Sequence, residues 1–136
     1  MTSEKKHGLD AGDIAKRPKT GVIATSDIDE ILAIEADAVL HTSLISVPYG
    51  AQNDNVIRLL ESGKNVLSTN GFYRPEHHGE EYAGPLRAAA LSGKSTLAGI
   101  GMNPGFIAER LLLTLTDLVV RLDELRSFET FDVALA

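Results

Sequence analysis

The chain has 136 residues, 24% charged and 43% hydrophobic, with a formal net charge of −6, which suits one globular domain, or part of one, with a real core. The acidic balance excludes the basic footprint of a nucleic-acid binder, since Lys5, Lys6, Lys16, Arg17 and Lys19 cluster near the start but are interleaved with acids and glycines. The absence of cysteine excludes disulfides and thiolate chemistry, Met1 to Asp10 is too polar for a signal peptide, and Leu111 to Val120, broken by Thr114, Thr116 and Asp117, is too short for a membrane span; a cytoplasmic protein is expected.

Met1 to Thr20 carries Gly8, Gly12 and Pro18 and no strong periodicity, which predicts loop with room for a short helix at Asp10 to Ala15. Gly21-Val22-Ile23-Ala24-Thr25 reads as a short strand. Ser26, with Asp29 three residues on, resembles a capping box for a helix bearing Ile28, Ile31 and Leu32. Ala38 to Thr42 is apolar without alternation, the pattern of a strand covered on both faces. Val47-Pro48-Tyr49-Gly50 predicts a loop. A helix follows from Ala51 to Ser62, with Val56, Ile57, Leu59 and Leu60 on one face and Gly63 as its stop.

Asn65 to Thr69 is the next strand, punctuated by Asn70-Gly71, and Pro75 to Leu91 reads as a helix closed by Gly93. Ser95 to Ala98 is β-favouring and meets a turn studded with Gly99, Gly101 and Gly105. Asn103 suits an N-cap and Pro104 a first helical position, with the helix itself from Phe106 to Val120. Glycines before a helix N-terminus let a ligand approach unpartnered backbone donors, so this corner is a candidate binding edge. Asp123 to Val133 alternates loosely and predicts a final strand. Strands alternating with helices call for βαβ units and a parallel sheet, hence an α/β fold.

Two stretches carry a resemblance. Leu60-Glu61-Ser62-Gly63-Lys64-Asn65-Val66-Leu67-Ser68-Thr69 resembles the fifth strand and its lead-in of nicotinamide-dependent reductases. Gly99-Ile100-Gly101-Met102-Asn103-Pro104-Gly105-Phe106 is similar to the Gly-x-Asn-Pro-Gly-Phe signature of the dihydrodipicolinate reductase-like proteins, which include 2,4-diaminopentanoate dehydrogenase and the native amine dehydrogenases. Ser3-Glu4-Lys5 with Asp10-Ala11-Gly12 resembles the segment these proteins carry just after their second strand, and the likeness runs from Ser3 to Ala134. It implies a partial doubly wound, Rossmann-like parallel sheet lacking its first two strands and its glycine fingerprint. Residues 1–120 would be part of the dinucleotide-binding domain, and residues 121–136 the start of the C-terminal substrate and dimerisation domain, with its first strand. Without its first two strands, the Gly21 to Thr25 strand is expected either to drift free or to close up beside Ala38 to Thr42; otherwise an apolar edge stays open to pairing with another chain.

The resemblance also implies site residues. Ser3, Lys5, Thr42, Ser43, Thr69 and Asn103 fall where cofactor is expected, and Asn70, Tyr73, Asn103, Pro104 and Gly105 where substrate is expected. A lysine at position 5 suits the 2′-phosphate of NADP; NAD is the alternative. Ser, Thr and Asn at such loops also serve as caps and turns. The acidic residue that amine dehydrogenases carry after the fifth strand has no counterpart before Glu76, so the catalytic acid is unassigned. Tyr73 is open as a proton donor or a packing tyrosine. His77 and His78, beside Glu80 and Glu81, read as a solvated helix start rather than a metal site, because adjacent histidines point apart. His41 at a strand end is the more interesting histidine, as a site residue or as a satisfied core residue.

The function expected is hydride transfer between NADP or NAD and a small imine, ketone or amine, carried by a longer, homo-oligomeric enzyme of which this chain is a piece without activity of its own. Glucose-fructose oxidoreductase-type enzymes would show Glu-Lys-Pro where this chain has Thr69-Asn70-Gly71. The alternative is a non-catalytic Rossmann-like binding or interaction module.

Overall fold

A computed structural model describes residues 4–43 and 50–130. Three parallel strands form its sheet: β1 (Ala38–His41), β2 (Asn65–Ser68) and β3 (Leu97–Gly99), in the order β1-β2-β3. Val39 pairs with Val66 and His41 with Ser68, while Val66 faces Leu97 and Ser68 faces Gly99. Parallel neighbours require crossovers, and two helices supply them. Before the sheet come α1 (Ala11–Ile14) and α2 (Ile28–Ala33); α3 (Asn53–Glu61) joins β1 to β2 and α4 (Glu80–Gly93) joins β2 to β3. The last two lie side by side.

The core follows from the helical spacing of α3. Val56, Leu59 and Leu60 lie on one stripe and bury it against Val66 of β2, Phe72 of the following loop, and Leu86 and Ala89 of α4. Val56, Leu60 and Val66 are fully buried, a contribution of about 1.5–3 kcal/mol per side chain. Gly63 takes φ +86. Its N–H reaches the Leu60 carbonyl at 2.9 Å, and Lys64 N–H reaches that of Leu59 at 3.2 Å. Those two bonds close α3 as a Schellman motif. The buried Lys64 then donates from Nζ to the Leu32 carbonyl at 2.9 Å, which ties the end of α2 to the sheet.

The end of α4 differs from expectation. Its left-handed residue is Lys94, φ 52, with Ser95 N–H bonded to the Ala90 carbonyl at 2.9 Å. Gly93 is the last helical residue, and its smallness serves packing: a Cβ there would overlap the Leu60 carbonyl oxygen and lie 2.8 Å from its carbon. The predicted helix from Pro75 also divides, into a 3₁₀ turn (Pro75–His78) and α4, with Gly79 at φ +89 between them.

Residues 21–25 do not join the sheet. Their backbone pairs with the N-terminal segment instead: Gly8 N–H to Ala24 O at 2.8 Å, Ala24 N–H to Leu9 O at 2.9 Å, and Ala11 N–H to Val22 O at 2.8 Å. Asp10 and Ile23 form an isolated antiparallel bridge. The Asp10 carboxylate caps α1 at Gly12 N (2.7 Å) and also accepts from Thr20 N (3.0 Å) and Gly21 N (2.7 Å). These bonds favour its charged form and hold its pKa below the ordinary value of 3.8. The cap of α2 is Asp27, which accepts from Asp29 N–H at 2.8 Å, and not Ser26, whose hydroxyl is engaged with His7 Nδ1 at 3.1 Å.

β1 is consequently an edge, and it alternates: Leu40 is 70% exposed, so the expectation of cover on both faces is corrected there. The expected strand over 123–133 is absent from its described part, residues 123–130, and the remainder lies outside the described residues, as do Val47, Pro48 and Tyr49.

The two helical glycines of α4 separate packing from propensity. At Gly84 a Cβ would meet the flexible Glu80 side chain and adjoin the ring of Pro85, which disfavours a Cβ-bearing residue in helical conformation, so Gly84→Ala is expected to change stability by less than about 1 kcal/mol. Gly93→Ala is expected to destabilise by about 1–3 kcal/mol despite the gain in propensity; chemical denaturation of both variants checks the two magnitudes. The depressed Asp10 pKa makes stability that is present above the unfolded value and disappears as pH falls through the folded one. Asp10→Asn is thus expected to be less stable at neutral pH and to lose part of the acid dependence, read from melting curves between neutral pH and pH values below 3.8. Leu113, Leu115 and Leu118 are 56%, 48% and 80% exposed along one short stretch. Such a patch favours self-association, and size-exclusion chromatography across concentrations should show a concentration-dependent shift to larger species.

Candidate functional site

Polar side chains converge where β1 and β2 end, the carboxyl edge of a parallel sheet at which α/β folds place ligands. His41, the last residue of β1, lies between two hydroxyls: Nδ1 is 2.9 Å from Ser68 Oγ and Nε2 is 2.9 Å from Ser43 Oγ. Ser43 Oγ donates to Gln52 Oε1 at 2.5 Å. Asn70 Nδ2 donates to Ser43 Oγ at 3.1 Å and to Gln52 Oε1 at 2.9 Å, while its backbone N–H reaches Ser68 Oγ at 3.1 Å. Ser68 is fully buried. Burial also holds the His41 pKa below its ordinary 6.5, so the imidazole is neutral at neutral pH. The rings of Phe72 and His41 meet edge to face, centroids 6.0 Å apart, and Phe72 in turn stacks on Tyr82 of α4.

The second part of the edge is the corner after β3. Ile100 N–H bonds to the Ser68 carbonyl at 2.7 Å, continuing the line of β3 past Gly99. Gly99 admits no side chain, because a Cβ would overlap the Tyr73 backbone and lie 2.5 Å from the Phe72 carbonyl carbon. The chain then enters a π-helical segment (Met102–Leu111) that continues as α5 (Leu112–Thr116). Gly101, extended at φ −132, occupies the N-cap position. The expectation of an Asn103 cap and a helix from Phe106 to Val120 is therefore corrected: Asn103, Pro104 and Gly105 lie inside the helix. Pro104 has no N–H to satisfy in a first turn. The Gly105 N–H is satisfied by Glu109 Oε2 at 2.7 Å, from within the helix. Asn103 is drawn away, its Nδ2 donating to Glu129. A shallow pocket lies here, lined by Gly99, Ile100, Gly101, Gly105, Phe106 and Arg110.

The structure therefore brings Ser43 and Asn70 into direct contact and places Tyr73 between Gly99 and Gly105; a Cβ on Gly105 would lie 3.9 Å from Tyr73 Cδ2. Thr42 and Thr69 flank the cluster, with Thr69 N–H bonded to the His41 carbonyl at 3.0 Å. Lys5 lies elsewhere, exposed in a 3₁₀ turn (Glu4–Lys6), and Ser3 lies outside the described residues. His78 packs against Tyr82 at 4.9 Å. No group of three or more potential metal ligands forms among the described residues, and no helix among them is long and apolar enough to cross a membrane. Sequence reasoning missed Gln52 and Ser68. The available signal was Ser68 itself, a hydroxyl at the end of a buried strand, where a polar group must find a partner.

No protein-family model matches the chain. An amine dehydrogenase from Streptomyces virginiae is 31% identical over 130 residues, covering 93% of this chain and 36% of the relative. Among solved structures, the amine dehydrogenase from Mycobacterium smegmatis has the same fold, with a TM-score of 0.73 at 24% identity, covering 89% of this chain and 36% of that one. The chain spans about a third of the length of these relatives. Its α/β architecture is that of part of a Rossmann-like sheet, and over nearly its whole length its sequence is similar to a stretch of an amine dehydrogenase.

Proposed function

We propose that this chain is part of an NAD(P)-dependent oxidoreductase that moves hydride between the cofactor and a small imine, ketone or amine. The similarity to an amine dehydrogenase supports an oxidoreductase. The observation that carries the finer reading is the Ser43–His41–Asn70 cluster, neutral throughout, at the carboxyl edge of a parallel sheet. An uncharged cluster of hydroxyl, imidazole and amide suits the carboxamide of a nicotinamide ring and avoids a fixed charge beside the reacting carbon. When bound, the cofactor supplies or receives the hydride. Ser43 and Asn70 hold the ring or the substrate in place, with Thr42 and Thr69 at the rim. Tyr73 and Gly105 face the same edge from the corner, with Pro104 beside them. Asn103 serves there once released from Glu129.

The ring end of a dinucleotide fits this chain better than its diphosphate end. No strand, Gly-x-Gly-x-x-Gly turn and helix follow one another in the sequence, and backbone donors of that kind supply much of diphosphate recognition. On this reading residues 1–120 belong to the dinucleotide-binding domain and residues 121–136 lead into a second domain, in a longer homo-oligomeric cytoplasmic enzyme. Lys5 is the candidate partner for a 2′-phosphate, which would favour NADP over NAD.

Saturation-transfer NMR with NADH and NADPH tests the reading on the chain as it stands. The expected result is weak binding, without turnover, in which the nicotinamide protons receive more saturation than the adenine protons. Ser43→Ala, which removes one hydrogen-bonding group, should weaken that binding about three- to tenfold. Transfer confined to the adenine, or no transfer to either cofactor, contradicts the proposal. Micromolar affinity would show that this chain needs no diphosphate cradle beyond itself.

A further inference from the structure

The hydrogen bonds around His41 form a closed ring, and the ring has a direction. It starts at a group whose role is fixed: the backbone N–H of Asn70 can only donate, and it donates to Ser68 Oγ at 3.1 Å. Ser68 is fully buried, and among the described residues its hydroxyl proton has one acceptor in reach, His41 Nδ1 at 2.9 Å. A neutral His41 that accepts at Nδ1 must carry its proton on Nε2, and that proton points to Ser43 Oγ at 2.9 Å. The Ser43 hydroxyl is thereby an acceptor toward His41 and donates onward to Gln52 Oε1 at 2.5 Å. Gln52 must therefore present its oxygen rather than its NH₂. Asn70 closes the ring with its NH₂ turned inward, one amide hydrogen shared between Gln52 Oε1 at 2.9 Å and Ser43 Oγ at 3.1 Å.

The opposite direction fails at two places. With the proton on His41 Nδ1, Ser68 Oγ would receive two donors, and its own hydroxyl hydrogen would be buried without an acceptor. Ser43 would donate to His41 Nε2 and Gln52 would turn its NH₂ to Ser43 Oγ, leaving Asn70 between an acceptor at Ser43 and a donor at Gln52 that neither end of its amide satisfies together. The buried hydroxyl of Ser68 therefore selects which end of Asn70 faces out. In the selected state Asn70 Oδ1 accepts no hydrogen bond from the described residues, and it is not a buried atom.

We propose that the ring locks Asn70 with its carbonyl oxygen outward, as the acceptor for an N–H donor on the ligand. The shared chemistry is a hydrogen on nitrogen, from either of two sources: the primary ammonium of an amine substrate or the carboxamide NH₂ of the nicotinamide ring. Ser68 and His41 are positioning residues, because they act through Asn70 and Ser43. The proposal rests on the carboxyl-edge site of the preceding reading and adds the polarity of that site.

The test uses the ¹⁵N-labelled 136-residue chain at neutral pH. A long-range ¹H–¹⁵N correlation spectrum reads the His41 tautomer directly, and the Nε2–H form is expected. Methylammonium and nicotinamide are then titrated separately while the Asn70 side-chain amide is followed. A saturable shift with methylammonium assigns the acceptor to the substrate amine, and one with nicotinamide assigns it to the cofactor. Ser68→Ala should leave the backbone spectrum of β2 folded, mix the two His41 tautomers and weaken the saturable shift about tenfold or more. The Nδ1–H tautomer in the unsubstituted chain overturns the direction of the ring. Correct tautomer with no saturable shift from either probe overturns the role of Asn70. Unchanged binding in Ser68→Ala overturns the role of Ser68. A saturable methylammonium shift without saturation transfer from either dinucleotide would defeat the oxidoreductase reading and leave this inference standing.

Discussion

A hydroxyl buried at the end of β2 constrains more of this structure than any other polar group. Ser68 is excluded from water, so every hydrogen-bonding group it carries must be met by protein. Its side chain reaches across to His41 at the end of β1, and its carbonyl receives Ile100 N–H just past β3. One residue thus joins the ends of all three strands at the same level. The loop that follows is bound by the same atom, through Asn70 N–H. Phe72, held in the core two residues later, meets the ring that Ser68 orients edge to face. An alanine in this position would keep the strand and lose the agreement between strand ends.

The sheet edge and the N-terminal segment show a competition between local and distant partners. Residues 21–25 carry a β-favouring sequence, and β1 offers an open edge on which Leu40 is exposed. The segment nevertheless pairs with residues 8–11, where Asp10 gathers the backbone N–H groups of Gly12, Thr20 and Gly21 on one carboxylate. Hydrogen bonds to a charged acceptor are about twice as strong as neutral ones, and the loop they close is short. Gly12 permits the turn, since a Cβ there would overlap the Pro18 carbonyl oxygen and lie 3.0 Å from Asp10 Oδ1. Local closure around Asp10 therefore wins over addition to the sheet. Of the two arrangements expected for this segment, docking beside β1 is the one not adopted.

Periodicity made the sheet and its crossover helices legible. The stripe of Val56, Leu59 and Leu60 and the stop at Gly63 are local patterns, and each is found in the structure. Competition for a residue among several jobs was not legible. Gly93 reads as a helix stop, yet contact with Leu60 needs it one residue earlier and leaves the left-handed position to Lys94. Asn103 reads as a cap, but Glu129 from a distant part of the chain takes its amide and Glu109 takes the orphan Gly105 N–H. Ser26 yields to the adjacent Asp27 because His7 occupies its hydroxyl. For the site, Ser43 and Asn70 were legible because they follow strands at the ligand edge. Gln52 was not, since its role depends on an amide orientation set through four other groups.

The glycine at the end of β3 explains why a site assembled from loops is held to the precision of strands. Tyr73 and Asn70 belong to the connection after β2, and such connections are the mobile parts of most domains. Here the backbone at Phe72 and Tyr73 lies directly on Gly99, so closely that no Cβ fits between them. Phe72 is anchored on one side of that contact by the core, and Asn70 by Ser68 and Gln52. Any larger residue at position 99 would push the loop off β3 and move Asn70 relative to Ser43, where their bond of 3.1 Å has little slack. The same displacement would carry Tyr73 away from Gly105 and open the corner. Glycine at position 99 therefore acts on the polar cluster and on the corner at once, through contact rather than through backbone freedom, and it makes the two halves of the edge a single unit.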